Sequence, residues 1–251
     1  MNKRKIAVFV EGQAELIFVS DFLLKWYNYE SEEIGFQCIT PQGTKLFHGG
    51  YTEYGSIEST RYYIIRNIGN DESVISRMKE DAENLVSKGY DIILGLRDMY
   101  SKDYNSKVKT LPKRVDPILN QSYIDGAKSI LAAHPKASIL KIHYAIMEVE
   151  AWFLGMPQSL LGLNKVFSQT FIKQNSTKID LDLDPETTIF HPAEAIADLG
   201  RQAGVLPYDK HDYEIINMCK CLKRSDYESL MRSGKCQSFN LFAQELLGIA
   251  E

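Results

Sequence analysis

Short apolar runs alternate with helical patterns along roughly the first 155 residues, and this alternation constrains the fold more than any other feature. The run at residues 6–10 is continuously apolar, as in a strand that is buried on both faces. Residues 13–26 then carry apolar side chains at helical spacing, and strand-like and helix-like segments continue in turn. Strands separated by helices predict a Rossmann-like α/β fold, with a mostly parallel central sheet flanked by helices.

The same patterns predict the element bounds. The predicted strands are 6–10, 36–40, 61–68, 91–96 and 138–144, and the predicted helices are 13–26, 72–88 and 115–132. A glycine-rich stretch at 42–55 is predicted to be a surface loop, and residues 100–114 form a polar segment. Because the last third has no strong strand signal, we predict an α/β domain at 1–156 and a mainly helical C-terminal extension at 157–251.

Composition and charge exclude several classes of protein. Of the 251 residues, 44% are hydrophobic and 25% are charged, as in ordinary soluble domains. No apolar run approaches the roughly 18–20 residues that span a bilayer, and the basic start at residues 3–5 precedes too few apolar residues for a signal peptide. We therefore expect a cytoplasmic protein with no membrane partner. The formal charge of −4 does not indicate a nucleic-acid binder, although a local basic face can serve that purpose.

Other motifs are weak or absent. In a cytoplasmic chain the cysteines are predicted to be reduced thiols. Cys219, Cys221 and Cys236 with His211 offer an alternative zinc site, but they form no CxxC pair. Neither GxxxxGK[ST] nor GxGxxG occurs, which argues against a nucleotide-dependent motor or a dehydrogenase.

Acidic residues follow three of the predicted strands. Glu11 comes directly after the first strand, Asp98 follows the fourth, and Glu148 and Glu150 follow the last. Ligands of open α/β sheets bind at the carboxyl ends of the strands, so these side chains are expected to converge. Carboxylate oxygens are the ligands that Mg²⁺ and Mn²⁺ prefer. The predicted metal ligands are Glu11, Asp98, Glu148 or Glu150, and, as the weakest member, Glu15.

Plainer explanations exist for each of these acids. Glu11 could merely complement the positive end of the following helix, and Asp98 could be a helix N-cap. Glu15 could form a salt bridge on the helix surface, and Glu150 could be a solvated acid on a helix face. Glu148 and Glu150 are two residues apart and cannot share one face of a regular helix. A helix is expected to begin in the segment from Glu148 to Leu154. At most one of the two glutamates is then a metal ligand, unless that helix begins between them.

A carboxylate-bound metal suits phosphodiester chemistry. Cleavage of a phosphodiester places charge on the attacking and leaving oxygens, and Mg²⁺ stabilises that charge and lowers the pKa of a bound water. A spare carboxylate can act as general base. The predicted catalytic residues are Glu11, Asp98 and Glu150.

Four short segments resemble motifs of the Toprim domain and its relatives. Residues 10–15 resemble Val-Glu-Gly-x-x-Glu, 98–100 resemble Asp-x-Tyr, 148–151 resemble Glu-x-Glu-Ala, and 235–239 resemble a C-terminal Cys-x-x-Phe. The chain is similar to Toprim-like proteins related to nucleases of the OLD (overcoming lysogenization defect) type. It is more similar still to a group of uncharacterised bacterial proteins, some linked to phage defence and mobile elements. The resemblance implies a Mg²⁺- or Mn²⁺-dependent nuclease acting on DNA or RNA.

The chain departs from the standard Toprim pattern at one position. A standard domain has Asp-x-Asp where this sequence has Asp98 and Tyr100. The resemblance implies that an acid from the later segment, Glu148 or Glu150, replaces the lost ligand. The departure favours an alternative: a non-catalytic Toprim-like partner or nucleic-acid-binding subunit that works with another protein, such as an ATPase. A phosphotransferase or phosphatase acting on a small substrate is a third possibility.

Basic and aromatic residues follow Asp98 closely and indicate a substrate surface. The predicted substrate-binding residues are Arg97, Tyr100, Lys102, Lys107 and Lys109. The cations would hold phosphates, and Tyr100 and Tyr104 could stack on bases. The alternative is an ordinary solvated loop.

Overall fold

The computed structural model of the chain describes residues 3–41, 52–69 and 73–249. Its strands are β1 (Arg4–Val10), β2 (Ile34–Ile39), β3 (Glu53–Tyr54), β4 (Arg61–Asn67), β5 (Ile92–Asp98) and β6 (Leu140–Ala145). Its first helices are α1 (Gln13–Trp26), α2 (Val74–Ser87), α3 (Lys102–Lys107), α4 (Pro117–Ala132) and α5 (Glu150–Gly155). The later ones are α6 (Gln169–Asn175), α7 (Pro185–Thr188), α8 (Pro192–Ala203), α9 (Asp212–Lys220), α10 (Arg224–Arg232) and α11 (Gln237–Leu247), with 3-10 helices at Ala137–Ile139 and Pro157–Gly162.

The strands of this described part form a six-stranded sheet in the order β3-β2-β4-β1-β5-β6. β1 pairs in parallel with β4 and β5, and β2 pairs in parallel with β4. The β2–β3 pair is antiparallel. Residues 6–10 of β1 are fully buried inside the sheet, as their continuous apolar sequence predicts. The predicted α/β fold, with a mostly parallel sheet flanked by helices and a helical C-terminal part, is confirmed.

Most element predictions hold to within a few residues. α1 covers the residues predicted for it, and the strand and helix ends elsewhere shift slightly. The polar segment at 100–114 contains a short helix, α3, that was not predicted. Residues 42–51 of the predicted surface loop, and residue 72 at the predicted start of α2, lie outside the described residues. Among the described helices, none combines the length and the apolarity needed to cross a membrane.

The contacts between residues divide the chain into two compact units. The first comprises Met1–Arg97, Gln121–Tyr144 and Gln244–Glu251, and the second comprises Asp98–Asn120 and Ala145–Ala243. Because both units are discontinuous in sequence, they do not test a boundary between consecutive segments. The predicted boundary between residues 156 and 157 therefore stays a prediction.

The first unit contains the sheet and its apolar core. Gly95 of β5 is required for close packing, because a Cβ atom there would lie 2.5 Å from Met78 Sδ and 2.6 Å from Ile142 Cδ1. The buried Tyr63 hydroxyl donates a hydrogen bond to the Leu246 carbonyl at 3.1 Å, which ties the end of α11 to this unit. The close packing at Gly95 places β5 directly against Met78 of α2 and Ile142 of β6.

The second unit is mainly helical, and its core surrounds α5. The fully buried Trp152 ring lies 5.4 Å from the Phe239 ring and 5.8 Å from the Phe242 ring, measured between centroids. The Cys236 thiol lies 3.5 Å from the Ala151 carbonyl oxygen. The segment resembling Cys-x-x-Phe therefore packs against the helix that begins at Glu150.

Candidate metal centre

The chain segments that follow β5 and β6 run side by side in the second unit. The Met99 amide donates to the Ala145 carbonyl at 2.9 Å, and the Tyr100 amide donates to the Met147 carbonyl at 2.7 Å. Met147 has a left-handed backbone conformation with φ 65°, and the chain turns there toward α5. The Val149 amide then donates to Asp98 Oδ1 at 3.0 Å. This backbone pairing brings the two predicted acidic segments together.

Asp98, Glu148 and Glu150 form a largely buried acidic cluster. Each residue places one carboxylate oxygen within 4.8 Å of the others, a geometry that could hold a metal ion. Asp98 is half-buried and both glutamates are buried. α5 begins at Glu150, so the helix starts between the two glutamates and both can face the same point. In the described ranges, no other group of His, Cys, Asp or Glu has this geometry.

Glu148 is held by three donors. Its Oε2 accepts a hydrogen bond from the Ala193 amide at the start of α8 and lies 2.9 Å from His191 Nδ1. Its Oε1 accepts a hydrogen bond from Lys210 Nζ at 3.0 Å. Burial would raise the pKa of Glu148, but His191, Lys210 and the Ala193 amide outweigh it and lower the pKa to about 2. The buried Glu148 carboxyl is therefore ionised at neutral pH.

Glu150 keeps one carboxylate oxygen without a hydrogen bond. The residue is fully buried, and its Oε1 accepts a hydrogen bond from the Tyr208 hydroxyl at 2.7 Å. Its Oε2 lies 3.1 Å from Lys210 Nζ, close enough for an ion pair, yet no hydrogen bond to it is formed in the described part of the chain. An oxygen in this state retains its capacity to bind a cation.

Lys210 supplies the positive charge of the site. Burial would lower the pKa of Lys210, but Glu150, Asp98 and Glu148 raise it well above its ordinary value. The hydrogen bond to Glu148 likewise raises the pKa of His191. The three carboxylates and the one ammonium leave a formal charge of −2, or −1 when His191 is protonated. The cluster is therefore only partly neutralised by its own side chains.

No family model, curated protein or solved structure matches this chain. The resemblance to Toprim-like proteins therefore rests on the sequence motifs and stays a prediction.

Three residues of the site were missed from the sequence. His191 is a single histidine before a proline, and no neighbouring motif marks it, Tyr208 or Lys210 as a site residue. Tyr208 lies 58 residues from Glu150 and Lys210 lies 62 residues from Glu148, so no local motif links them. Only the folding of α8 and α9 around α5 brings them together.

Tyr100 packs beside the cluster. Its ring centroid lies 4.4 Å from that of His191 and 5.8 Å from that of Phe190. Burial, and to a lesser degree Glu148, raises the pKa of Tyr100, so its phenol is neutral at physiological pH. Tyr100 thus places an uncharged ring against His191.

The predicted substrate-binding lysines lie on or next to α3. Lys102 is exposed, Lys107 pairs with Asp103 at 2.7 Å, and Lys109 Nζ donates to the Ser106 carbonyl at 2.6 Å. The proposed stacking of Tyr104 on bases is wrong, because Tyr104 is fully buried and its hydroxyl donates to Asn120 Oδ1 at 2.7 Å. The periodicity of α3 turns this ring inward.

The remaining predicted residues belong to the first unit. Glu15 is buried, and its Oε2 accepts a hydrogen bond from the Gly12 amide at 2.8 Å. This contact gives Glu15 a helix-capping role. Glu11 is half-buried after β1, and Arg97 Nη1 lies 3.4 Å from the Tyr144 hydroxyl. Because Glu11 and Glu15 lie in the first unit and the acidic cluster lies in the second, their part in metal binding stays a prediction.

All four cysteines are free thiols. Cys219, Cys221, Cys236 and His211 form no metal-binding group among the residues described, so the alternative zinc site gains no support.

Proposed function

We propose that this chain is a metal-dependent phosphodiester-processing protein, a Toprim-like nuclease whose ion is Mg²⁺ or Mn²⁺. The observation that carries the proposal is the convergence of Asp98, Glu148 and Glu150 from the ends of two strands. Separate strand ends hold such ligands rigidly, as metal-assisted hydrolysis requires.

The cluster suits a small divalent cation. Two ligands on opposite sides of Mg²⁺ lie about 4.2 Å apart, since each bond is close to 2.1 Å long. Adjacent ligands of an octahedral ion lie about 3 Å apart. The carboxylate oxygens here lie within 4.8 Å of one another, so the three side chains would move closer together on binding. The unbonded Oε2 of Glu150 and the residual negative charge of the cluster support the same conclusion.

Each group would have a distinct role in the reaction. Asp98, Glu148 and Glu150 would hold the metal, which supplies charge stabilisation and an activated water when bound. Lys102, Lys107 and Lys109 would bind phosphates of DNA or RNA, and Tyr100 would keep His191 in place. The roles predicted for Glu11, Glu15 and Arg97, which lie in the first unit, stay predictions.

A cleavage assay tests this proposal. Purified protein is incubated with Mg²⁺ or Mn²⁺ and with single- and double-stranded DNA and RNA. Wild type is expected to cleave at least one substrate, and Glu150→Gln is expected to lose that cleavage. Glu80→Gln, which alters an exposed ion pair of α2 with Arg77, is the matched control and should retain it. Equal inactivity of wild type and Glu150→Gln with both metals would contradict the nuclease proposal.

A non-catalytic role is the second candidate, and two observations favour it. Tyr100 offers a ring where a standard Toprim domain has a carboxylate, and Lys210 already neutralises part of the cluster. The protein would then bind metal, nucleic acid or another subunit, such as an ATPase, within a system of phage defence or of a mobile element. Calorimetry with Mn²⁺ separates the candidates, because tight binding without turnover supports the partner role.

A further inference from the structure

Lys210 lies in the connection between α8 and α9, and its ammonium occupies the acidic cluster. Nζ lies 3.0 Å from Glu148 Oε1 and 3.1 Å from Glu150 Oε2. The side chain is 37% exposed, whereas the Glu148 and Glu150 side chains are 5% and 0% exposed. The lysine side chain therefore reaches the buried oxygens from the solvent side, and its ammonium can return to water without crossing the protein interior.

The backbone around Lys210 is fixed by contacts that do not involve its side chain. Lys210 has a left-handed conformation with φ 56°, which is uncommon for a residue other than glycine. The Asp209 and His211 amides on either side both donate to Glu214 Oε2, at 3.1 Å and 2.9 Å. The Tyr208 hydroxyl is bonded to Glu150 Oε1. A rotamer change can thus withdraw the ammonium from the cluster while the loop stays in place.

A divalent cation and the ammonium need the same oxygens. A metal bound to Glu148 Oε1 and Glu150 Oε2 would lie only a few ångströms from Nζ, since metal–oxygen bonds are near 2 Å. Two cations that close in a largely buried site repel each other strongly. Occupation by one therefore excludes the other.

We propose that Lys210 is an exchangeable counter-ion of the acidic cluster: its ammonium fills the site in the absence of metal, and a divalent cation displaces it toward solvent. The inference rests on the proposed metal site and adds its regulation. Because metal must displace the lysine, the apparent metal affinity is lower than the carboxylates alone would give. The site would therefore load at a higher concentration of metal than the carboxylates alone would require.

Mn²⁺ binding by Lys210 variants tests the exchange. Lys210→Met is expected to bind Mn²⁺ about tenfold or more tightly than wild type, measured by electron paramagnetic resonance or calorimetry, because no charged hydrogen bond must be broken first. Lys173→Met removes the same charge from an exposed pair with Asp182 outside the cluster and should bind like wild type. Circular dichroism confirms that each variant is folded.

The outcomes separate this inference from the proposed function. If wild type binds Mn²⁺ and Lys210→Met binds it equally or more weakly, the exchange is refuted and the metal site survives. Binding by Lys210→Met alone would show that metal does not displace the lysine in wild type, which overturns the exchange and the metal-dependent function of the wild-type protein. If neither protein binds Mn²⁺, both proposals fail.

A second measurement uses wild type alone and does not depend on a variant that folds. Lysine acetylation is followed by mass spectrometry with and without saturating Mn²⁺. The rate at Lys210 is expected to rise severalfold with metal, because the released amine reaches water and loses its carboxylate partners, while the rate at Lys173 stays constant. Unchanged or slower acetylation of Lys210 in the metal-bound protein would overturn the exchange.

Discussion

Two buried glutamate networks in the second unit differ in the charge of their partners. Glu186 accepts hydrogen bonds from neutral donors, namely the Trp152 indole nitrogen at 2.9 Å, the Ser238 amide at 3.1 Å and the Ser238 hydroxyl. Glu148 is bound instead by Lys210, His191 and a helix-terminal amide. Burial raises the pKa of Glu186 to about 7, whereas the partners of Glu148 lower its pKa to about 2.

The difference shows that burial alone does not identify a metal site. Both networks contain glutamates of similar exposure, yet only the Glu148–Glu150 network combines a lysine partner with a carboxylate oxygen that has no hydrogen bond. Glu186 has its oxygens occupied by donors and serves to join α7 to Trp152 and to the start of α11. The Glu186 network therefore has a structural role, whereas the cluster that contains Glu148 and Glu150 could hold a metal ion.

The largest expected effect is the loss of metal affinity in Glu150→Gln. Replacing the carboxylate by an amide removes an anionic ligand, and Mn²⁺ affinity should fall by about 100-fold or more. Glu186→Gln changes a buried glutamate of the same unit and should leave the affinity unchanged. Mn²⁺ titration followed by electron paramagnetic resonance gives both values. A similar loss of Mn²⁺ affinity in the two variants would contradict the different roles given to the two networks.

Glu148→Gln should lower the free energy of unfolding by about 2–3 kcal/mol near pH 5.5. Removing one partner of a fully buried ion pair destabilises a protein by more than this, about 3–5 kcal/mol. The expected loss of stability is smaller here because the Lys210 ammonium can reach water. The stability that ionised Glu148 contributes is present above pH 4.5 and is lost as the pH falls toward 2. The stability that protonated His191 contributes is present below pH 6.5 and is lost as the pH rises above that value. Urea unfolding should thus show the largest difference from wild type between pH 4.5 and 6.5. A difference that does not vary with pH would contradict the charged pairing.

The Glu186 network predicts the opposite pH dependence. Its folded pKa of about 7 exceeds the ordinary 4.5, so the folded state binds the proton more tightly and stability falls as pH rises from 4.5 to 7. The loss should be about 2–3 kcal/mol, and Glu186→Gln should remove this dependence of stability on pH. Urea unfolding at pH 5 and pH 7.5 measures it. If the stability of wild type and of Glu186→Gln changed equally between pH 5 and pH 7.5, Glu186 would be ionised over that whole range and the prediction would be wrong.

The smallest expected effect is that of Ser238→Ala. The variant removes one hydroxyl donor to Glu186 and should destabilise the protein by about 1 kcal/mol. Because that donor favours the ionised carboxyl, the pKa of Glu186 should rise further and the pH-dependent loss should move to higher pH. Mn²⁺ binding should be unaffected. A change in Mn²⁺ affinity would show that the two networks are coupled.

Local patterns were enough to predict the fold class and the acids of the cluster. The continuous apolar run of β1 and the helical spacing of α1 arise from contacts between near neighbours in sequence, so a single sequence displays them. Asp98 and Glu148 were found because they follow strands, and parallel strands end at a common edge. The burial of Tyr104 was not found, because a six-residue helix in a polar segment carries too little periodicity.

The sequence by itself determined a mostly parallel α/β sheet and three acids at strand ends, since both depend on the order of residues along short segments. Only the tertiary structure decided which side chains contact those acids. Lys210, Tyr208 and His191 reach them from 43 to 62 residues away, and a start of α5 between the two glutamates lets both face one point. The charge of a buried carboxyl depends on partners that its neighbours in sequence do not specify, and for that reason the chemistry of this site became visible only in the folded chain.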